Sequence, residues 1–159
     1  MKLLLTTFLL VITLSSTAFA DDLASSKAAY NAGNYQKARI LMKPYAEKGN
    51  AAIQHLLGIM NFNGQGGPKD FVTAARWYKL AAEQGFAPSQ SALALMYALG
   101  IGVIQDNVSA YMWNNLSAAS GEKSALEIRD TITKGMTKSQ IAEAQKLSRE
   151  CLKNNYKNC

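Results

Sequence analysis

Two short loops carry the residue types that chemistry most often uses. Gly64-Gln65-Gly66 is followed by Asp70 and Trp77, and 36 residues on, Gly100-Ile101-Gly102 is followed by Asp106 and Trp113. A glycine pair ahead of a helix is one way to cradle a phosphate on backbone N–H groups. Neither loop continues to G-x-x-G or to G-K-[ST], and Lys69 stands between Pro68 and Asp70 without a hydroxyl partner. No strand precedes either loop, so a nucleotide site is excluded. Two aspartates form an acid–base pair on a sugar only when their carboxylates lie about 5–10 Å apart. Asp70 and Asp106 belong to successive copies of one unit, and each is placed to cap a helix N-terminus. Trp77 keeps company with Ala74 and Ala81 at helical spacing, as Trp113 does with Ala110 and Ser117. That spacing predicts inter-helix core, burying about 150–250 Å² per indole, and does not suit ligand stacking.

Other catalytic groups are sparse. His55 is the only histidine, and its counterpart one period later is Ser91. A serine nucleophile would need His55 as base, or a lysine in an S-x-x-K arrangement. Ser120 and Lys123 have that spacing, but they fall at a helix end and an exposed turn, where burial does not lower a lysine pKa. The two cysteines, Cys151 and Cys159, lie far from His55 in sequence, so no metal site is expected and no cofactor is implied. Residues eight apart in one straight helix are about 12 Å apart, beyond the ~7 Å Cα limit of a disulfide. A bridge between them therefore requires the helix to end on the way, and Asn154-Asn155 is a suitable place. Free or intermolecular thiols are the alternative.

The elements that position these residues repeat. Gly49, Gly85 and Gly121 are 36 apart, and Gln54/Gln90, Leu57/Leu93, Met60/Met96 and Ala82/Ala118 match at the same offset. A period of this size marks stacked units that bury their apolar faces on one another. Each unit reads as two helices. In residues 50–85, helix A runs from Ala51 to about Phe62, the run Asn63 to Pro68 breaks it, Asp70 caps helix B, and Gly85 ends it. Residues 86–121 repeat the plan, with Gly100 and Gly102 in the loop and Asp106 as cap. Gly64, Gly66, Asp70, Trp77 and their second copies are thus read as structural.

The pattern L-G-x-M-x-x-x-G-x-G-x-P-x-D-x-x-x-A-x-x-W-Y-x-x-A-A-x-x-G, Leu57 to Gly85, resembles the Sel-one-like repeat (SLR) family, relatives of the tetratricopeptide repeats. The resemblance spans both copies. It implies an all-α fold, a right-handed α-solenoid of stacked antiparallel helix hairpins with a C-terminal capping helix. Against the family pattern, Asn61 stands for the usual tyrosine, Gly67 for valine, Ala94 for glycine and Ile104 for proline.

The flanks complete the plan. Lys2, the apolar run Leu3 to Leu14 and Ala18-Phe19-Ala20 read as a secretory signal peptide with cleavage after Ala20. A periplasmic or secreted location follows. Residues 21–49 read as a degenerate first hairpin, turning at Gly33-Asn34 and with Pro44 placed to kink its second helix. Residues 122–159 hold a short helix, Ser124 to about Thr133, and a last amphipathic helix opened by a Thr137/Gln140 capping box. Without Lys2 the formal charge falls from +6 to +5. Six basic residues lie between Lys134 and Cys159 against Glu143 and Glu150. Such a tail reads first as a solvated helix face, with peripheral contact with a membrane or cell wall as the alternative. No aromatic residues interleave clustered arginines, so nucleic acid is not an expected partner.

The expected function is a non-enzymatic interaction or adaptor module of the bacterial envelope, binding a protein or peptide in a concave groove lined by the A helices. Its candidate residues are Tyr30, His55, Ile59, Phe62, Ser91 and Leu95, with Ala98 beside them. The alternatives are a weak cell-wall or β-lactam hydrolase, which the cysteine-rich branch of the resembling family implies, and a peptidoglycan or polyanion tether.

Overall fold

The computed structural model describes residues 23–157 and 159. The segment read as a signal peptide lies outside the described residues. All regular structure among the described residues is helical. Helix α1 covers residues 23–31. It is followed by α2 (Tyr35–Glu47), α3 (Ala51–Asn63), α4 (Phe71–Ala82), α5 (Ala87–Leu99), α6 (Asn107–Ala119), α7 (Ser124–Thr133) and α8 (Lys138–Lys153). Odd-numbered helices are the A members of successive hairpins and even-numbered helices the B members. No helix among the described residues is long and apolar enough to cross a membrane.

Local chemistry sets the helix ends. The Asp70 carboxylate accepts the Thr73 N–H at 2.9 Å. Asp106 accepts those of Val108 and Ser109 at 2.9 and 3.3 Å. These bonds satisfy N–H groups that the first turn leaves without helical partners. Thr137 and Gln140 form the reciprocal capping box of α8. Gly64 and Gly100 end α3 and α5 in the left-handed conformation. Pro44 does not stop α2, which runs through it to Glu47.

A second set of contacts joins one hairpin to the next. Gln54 Nε2 donates to the Ala46 carbonyl at 2.9 Å, and Gln90 Nε2 to the Ala82 carbonyl at 3.2 Å. In each case a buried amide at the start of helix A adds a second donor to a carbonyl at the end of the preceding helix B, which already accepts the N–H of Gly49 or Gly85. The second glycine of each loop has a different task. At Gly66, with φ +75°, an added Cβ would stand 2.7 Å from the Tyr35 carbonyl carbon and 2.8 Å from the Gln36 nitrogen. At Gly102 it would overlap the carbonyl of Phe71. Tyr35 and Phe71 open the B helices of the preceding hairpins. Each loop therefore lies directly on backbone, at a distance only glycine allows.

The core divides into two clusters along the stack. Met42, Ile53, Leu57 and Met60 centre the first; Leu93, Met96, Trp113, Leu116 and Ile132 centre the second. Helix α8 closes the far end against α6, where the buried Ser148 hydroxyl donates to the Ala144 carbonyl at 2.7 Å and stands 3.3 Å from that of Met112. After Lys153 the chain turns through Asn155 and Tyr156, both at positive φ. A left-handed tyrosine costs about 1–2 kcal/mol. Its ring packs into the second core cluster and lies over Gly85, which offsets that cost. The turn brings Cys159 back to Cys151 with Cα atoms 5.3 Å apart, joined in a disulfide.

Candidate functional site

One face of the stack is built from the A helices. Helices α3, α5 and α7 present two neighbouring cavities that share Ala92 and Leu95. The first, about 190 Å³, is apolar and lies among Phe62, Tyr78, Leu95, Met96 and Ile101. Tyr78 reaches it from α4 because residue 58 is glycine. A Cβ there would lie 2.5 Å from the tyrosine ring. Burial and the neighbouring Tyr30 push the Tyr78 hydroxyl up to about 12, so it stays neutral at any physiological pH. Phe62 is held edge-on by Phe71, with ring centroids 5.0 Å apart.

The second cavity, about 290 Å³, is more polar, with His55, Ser91, Leu95, Glu122, Ser124 and Ile128 on its walls. His55 sits between the rings of Tyr78 and Phe86, at centroid distances of 5.4 and 5.3 Å. Its Nδ1 lies 2.8 Å from the Ser89 hydroxyl. Burial lowers the imidazole pKa, and the negative charge of Glu122 opposes that only in part. A serine against a neutral histidine has the distance of a nucleophile–base pair. The Ser89 side chain is fully buried, however, so a substrate carbonyl cannot reach its oxygen. The contact fixes α3 to α5 and orients the ring. Ser91 and Ser124 repeat the device one hairpin later, with hydroxyls 2.9 Å apart.

The expected groove residues separate on this surface. His55, Ser91 and Leu95 line the polar cavity, and Phe62 and Leu95 the apolar one. Tyr30 and Ile59 line neither: Tyr30 stacks edge-on with Tyr35 at 5.3 Å, and Ile59 packs on the second core cluster. Ala98 is buried in that cluster and offers no surface. Ile101, Glu122, Ser124 and Ile128 were not anticipated. Ile101 comes from the loop that leaves α5, and Glu122, Ser124 and Ile128 come from the turn before α7 and from α7 itself, which meet α5 only once the hairpins stack.

The B helices form the other face, which carries three furrows. They lie between α2 and α4 (about 340 Å³), along α4 and the 102–103 loop (about 210 Å³), and between α6 and α8 beside the disulfide (about 180 Å³). Here one expectation needs correction. Trp113 is 2% exposed and belongs to the core; Trp77 packs against the first core cluster as expected but is only partly buried, and its remaining surface forms a wall of the first furrow. The cause is Asn61. One repeat later Tyr97 occupies the matching position on the wall of its furrow. The shorter Asn61 side chain leaves the space beside Trp77 open.

Residues 51–86 and 87–122 each match the Sel1 repeat. A search of curated proteins finds no match. Among solved structures, the protective antigen c5321 of uropathogenic Escherichia coli strains, which displays an SLR fold, superposes with a TM-score of 0.79 at 27% identity over 87% of this chain. A Sel1 repeat protein from Oxalobacter formigenes superposes with a TM-score of 0.65 at 30% identity over 80% of this chain. The chain spans 30% and 55% of the lengths of these two proteins. The periodic loops, the helix pairs and these likenesses agree: the chain carries two Sel1 repeats in an SLR fold.

Proposed function

We propose that this protein is a non-enzymatic protein-interaction module of the cell envelope, holding a peptide segment of its partner along the A-helix face. The observation that carries this reading is the continuity of the two cavities through Leu95 and Ala92. An extended peptide with one apolar side chain would seat it among Phe62, Tyr78 and Ile101. Its next polar group would lie beside His55, Ser124 and Glu122. Leu95, more than a third exposed, forms the ridge between the two. Stacked hairpins present such a surface already formed, so the ordering cost of binding falls mainly on the peptide. Export to an oxidising compartment belongs to this reading, and the Cys151–Cys159 bridge supports it. The hydrolase reading gains nothing from the His55–Ser89 contact, because the hydroxyl is sealed.

The test is affinity capture from the envelope of the exporting cell with Leu95→Glu, Phe62→Ala and a control, Ile104→Ser. Ile104 is 90% exposed and lines neither cavity. The first two variants are expected to keep the helical spectrum and lose the captured partner, while the control keeps both. Unchanged capture by Leu95→Glu would refute the groove.

A further inference from the structure

The furrow between α2 and α4 departs from the repeat in a coordinated way. Shifted by 36 residues, its walls Lys43 and Leu57 become Lys79 and Leu93, which line the next furrow. Arg39 and Asn61 become Ala75 and Tyr97. A long side chain and a short one have changed places with a short one and a long one. The exchange does not refill the space: the Arg39/Asn61 furrow measures about 340 Å³ and the Ala75/Tyr97 furrow about 210 Å³.

What remains is a shaped site. Asn61 is 2% exposed and bonded at both ends of its amide, its Nδ2 donating to the Leu57 carbonyl at 2.7 Å and its Oδ1 accepting from Arg39 Nη2 at 2.9 Å. That bond holds the guanidinium at the furrow while using one of its five N–H donors. No carboxylate pairs with Arg39 among the described residues. Lys43, the second cation on the wall, reaches Glu47 only in an exposed pair at 3.7 Å, which contributes little in water. Thr73 adds a hydroxyl, while Trp77 and Ile40 supply apolar surface; Ile40 is 68% exposed. The walls thus carry two positive charges, no negative one, and an indole.

We propose that this furrow is a second binding site, on the opposite set of helices from the A face, for an acidic peptide segment. A carboxylate of the segment meets Arg39 and Lys43, and an adjacent aromatic side chain lies on Trp77. The planar guanidinium matches a carboxylate in two parallel hydrogen bonds. The charge balance of the walls selects an anion, and the indole selects a neighbour with an apolar face.

The chain has two tryptophans, so N–H correlation spectra of the whole exported protein contain two indole signals. The probe is a blocked Glu-Phe-Glu-Phe peptide, compared with its Gln-Phe-Gln-Phe counterpart. The acidic peptide is expected to move the Trp77 signal saturably at about 1 mM or below and to leave that of Trp113 in place. The glutamine peptide binds at least about tenfold more weakly. The double variant Arg39→Ala with Asn61→Tyr copies the Ala75/Tyr97 pair that this fold already holds. It is expected to stay folded and to weaken binding at least about tenfold; should it misfold, Arg39→Gln alone must show the same loss. Leu95→Glu leaves this binding unchanged, which separates the furrow from the A-face groove. A Trp77 signal that does not saturate, equal binding of the two peptides, or full binding by the arginine variants overturns the proposal.

Discussion

The second glycine of the loop offers the sharpest test of why the G-x-G pattern is present. In Gly102→Ala two penalties combine. The residue has φ +69°, and an L side chain in the left-handed region costs about 1–2 kcal/mol. The new methyl also meets the carbonyl carbon and oxygen of Phe71 and lies 2.9 Å from that residue's Cβ. Backbone at the start of a capped helix cannot step aside as a flexible side chain can. The two hairpins must therefore separate locally, at a cost of about 1–3 kcal/mol, as for other overpacked sites. The expected loss is about 2–5 kcal/mol, a large share of a small domain's stability. Gly121→Ala is the internal control. Its φ is +82°, but nothing lies within 4 Å of the added atom, so only the conformational cost of about 1–2 kcal/mol remains. Urea unfolding followed by far-UV circular dichroism measures both. If Gly102→Ala loses no more stability than Gly121→Ala, the close approach of loop to helix is not what requires glycine.

Further outcomes follow from the same geometry. Trp113→Ala is expected to lose about 3–5 kcal/mol and Trp77→Ala less, about 2–3 kcal/mol, because part of its indole already faces the furrow; equal losses in urea unfolding would contradict the open furrow. The lowered pKa of His55 means that the unfolded chain takes up a proton first, at its ordinary value of 6.5. The contribution of His55 to stability is therefore complete above that pH and declines as pH falls below it. Since His55 is the only histidine, His55→Gln should flatten the fall in melting temperature between about pH 7 and pH 5; an unchanged slope would show that the ring is not desolvated. Cys151→Ser with Cys159→Ser is expected to lower stability by about 2.5 kcal/mol, from the chain entropy of so short a loop. Reduction of the native protein should give the same shift in midpoint, and no shift would mean that the bridge does not restrain the unfolded chain.

Much of the architecture was legible in the residues because it depends on local chemistry. An aspartate before a helix needs only the N–H groups of the next turn, so Asp70 and Asp106 could be assigned as caps from their place after a loop. Thr137 and Gln140 declare a capping box three residues apart. The 36-residue period of glycines and apolar positions is itself the stacking rule, and the pairing of helices follows from it. The position of a helix break between Cys151 and Cys159 stated what a bridge would need, but whether the thiols meet depended on the turn at Asn155 and Tyr156. The tertiary structure alone decided the rest. Asn61 read as a departure from a pattern; its consequence, a partly exposed indole and a wide furrow, requires knowing that Arg39 of the preceding hairpin lies over it. Ser89 and Ser124, unremarkable in sequence, bond His55 and Ser91 across hairpin boundaries. The A-face cavities are assembled from four helices, a loop and a turn, with Phe62 and Ile128 on separate hairpins. Caps and turns are satisfied within a few residues of chain, so sequence specifies them. Cavities are the space left between neighbouring units, and that space depends on the sizes of side chains far apart in sequence that meet only when the stack forms.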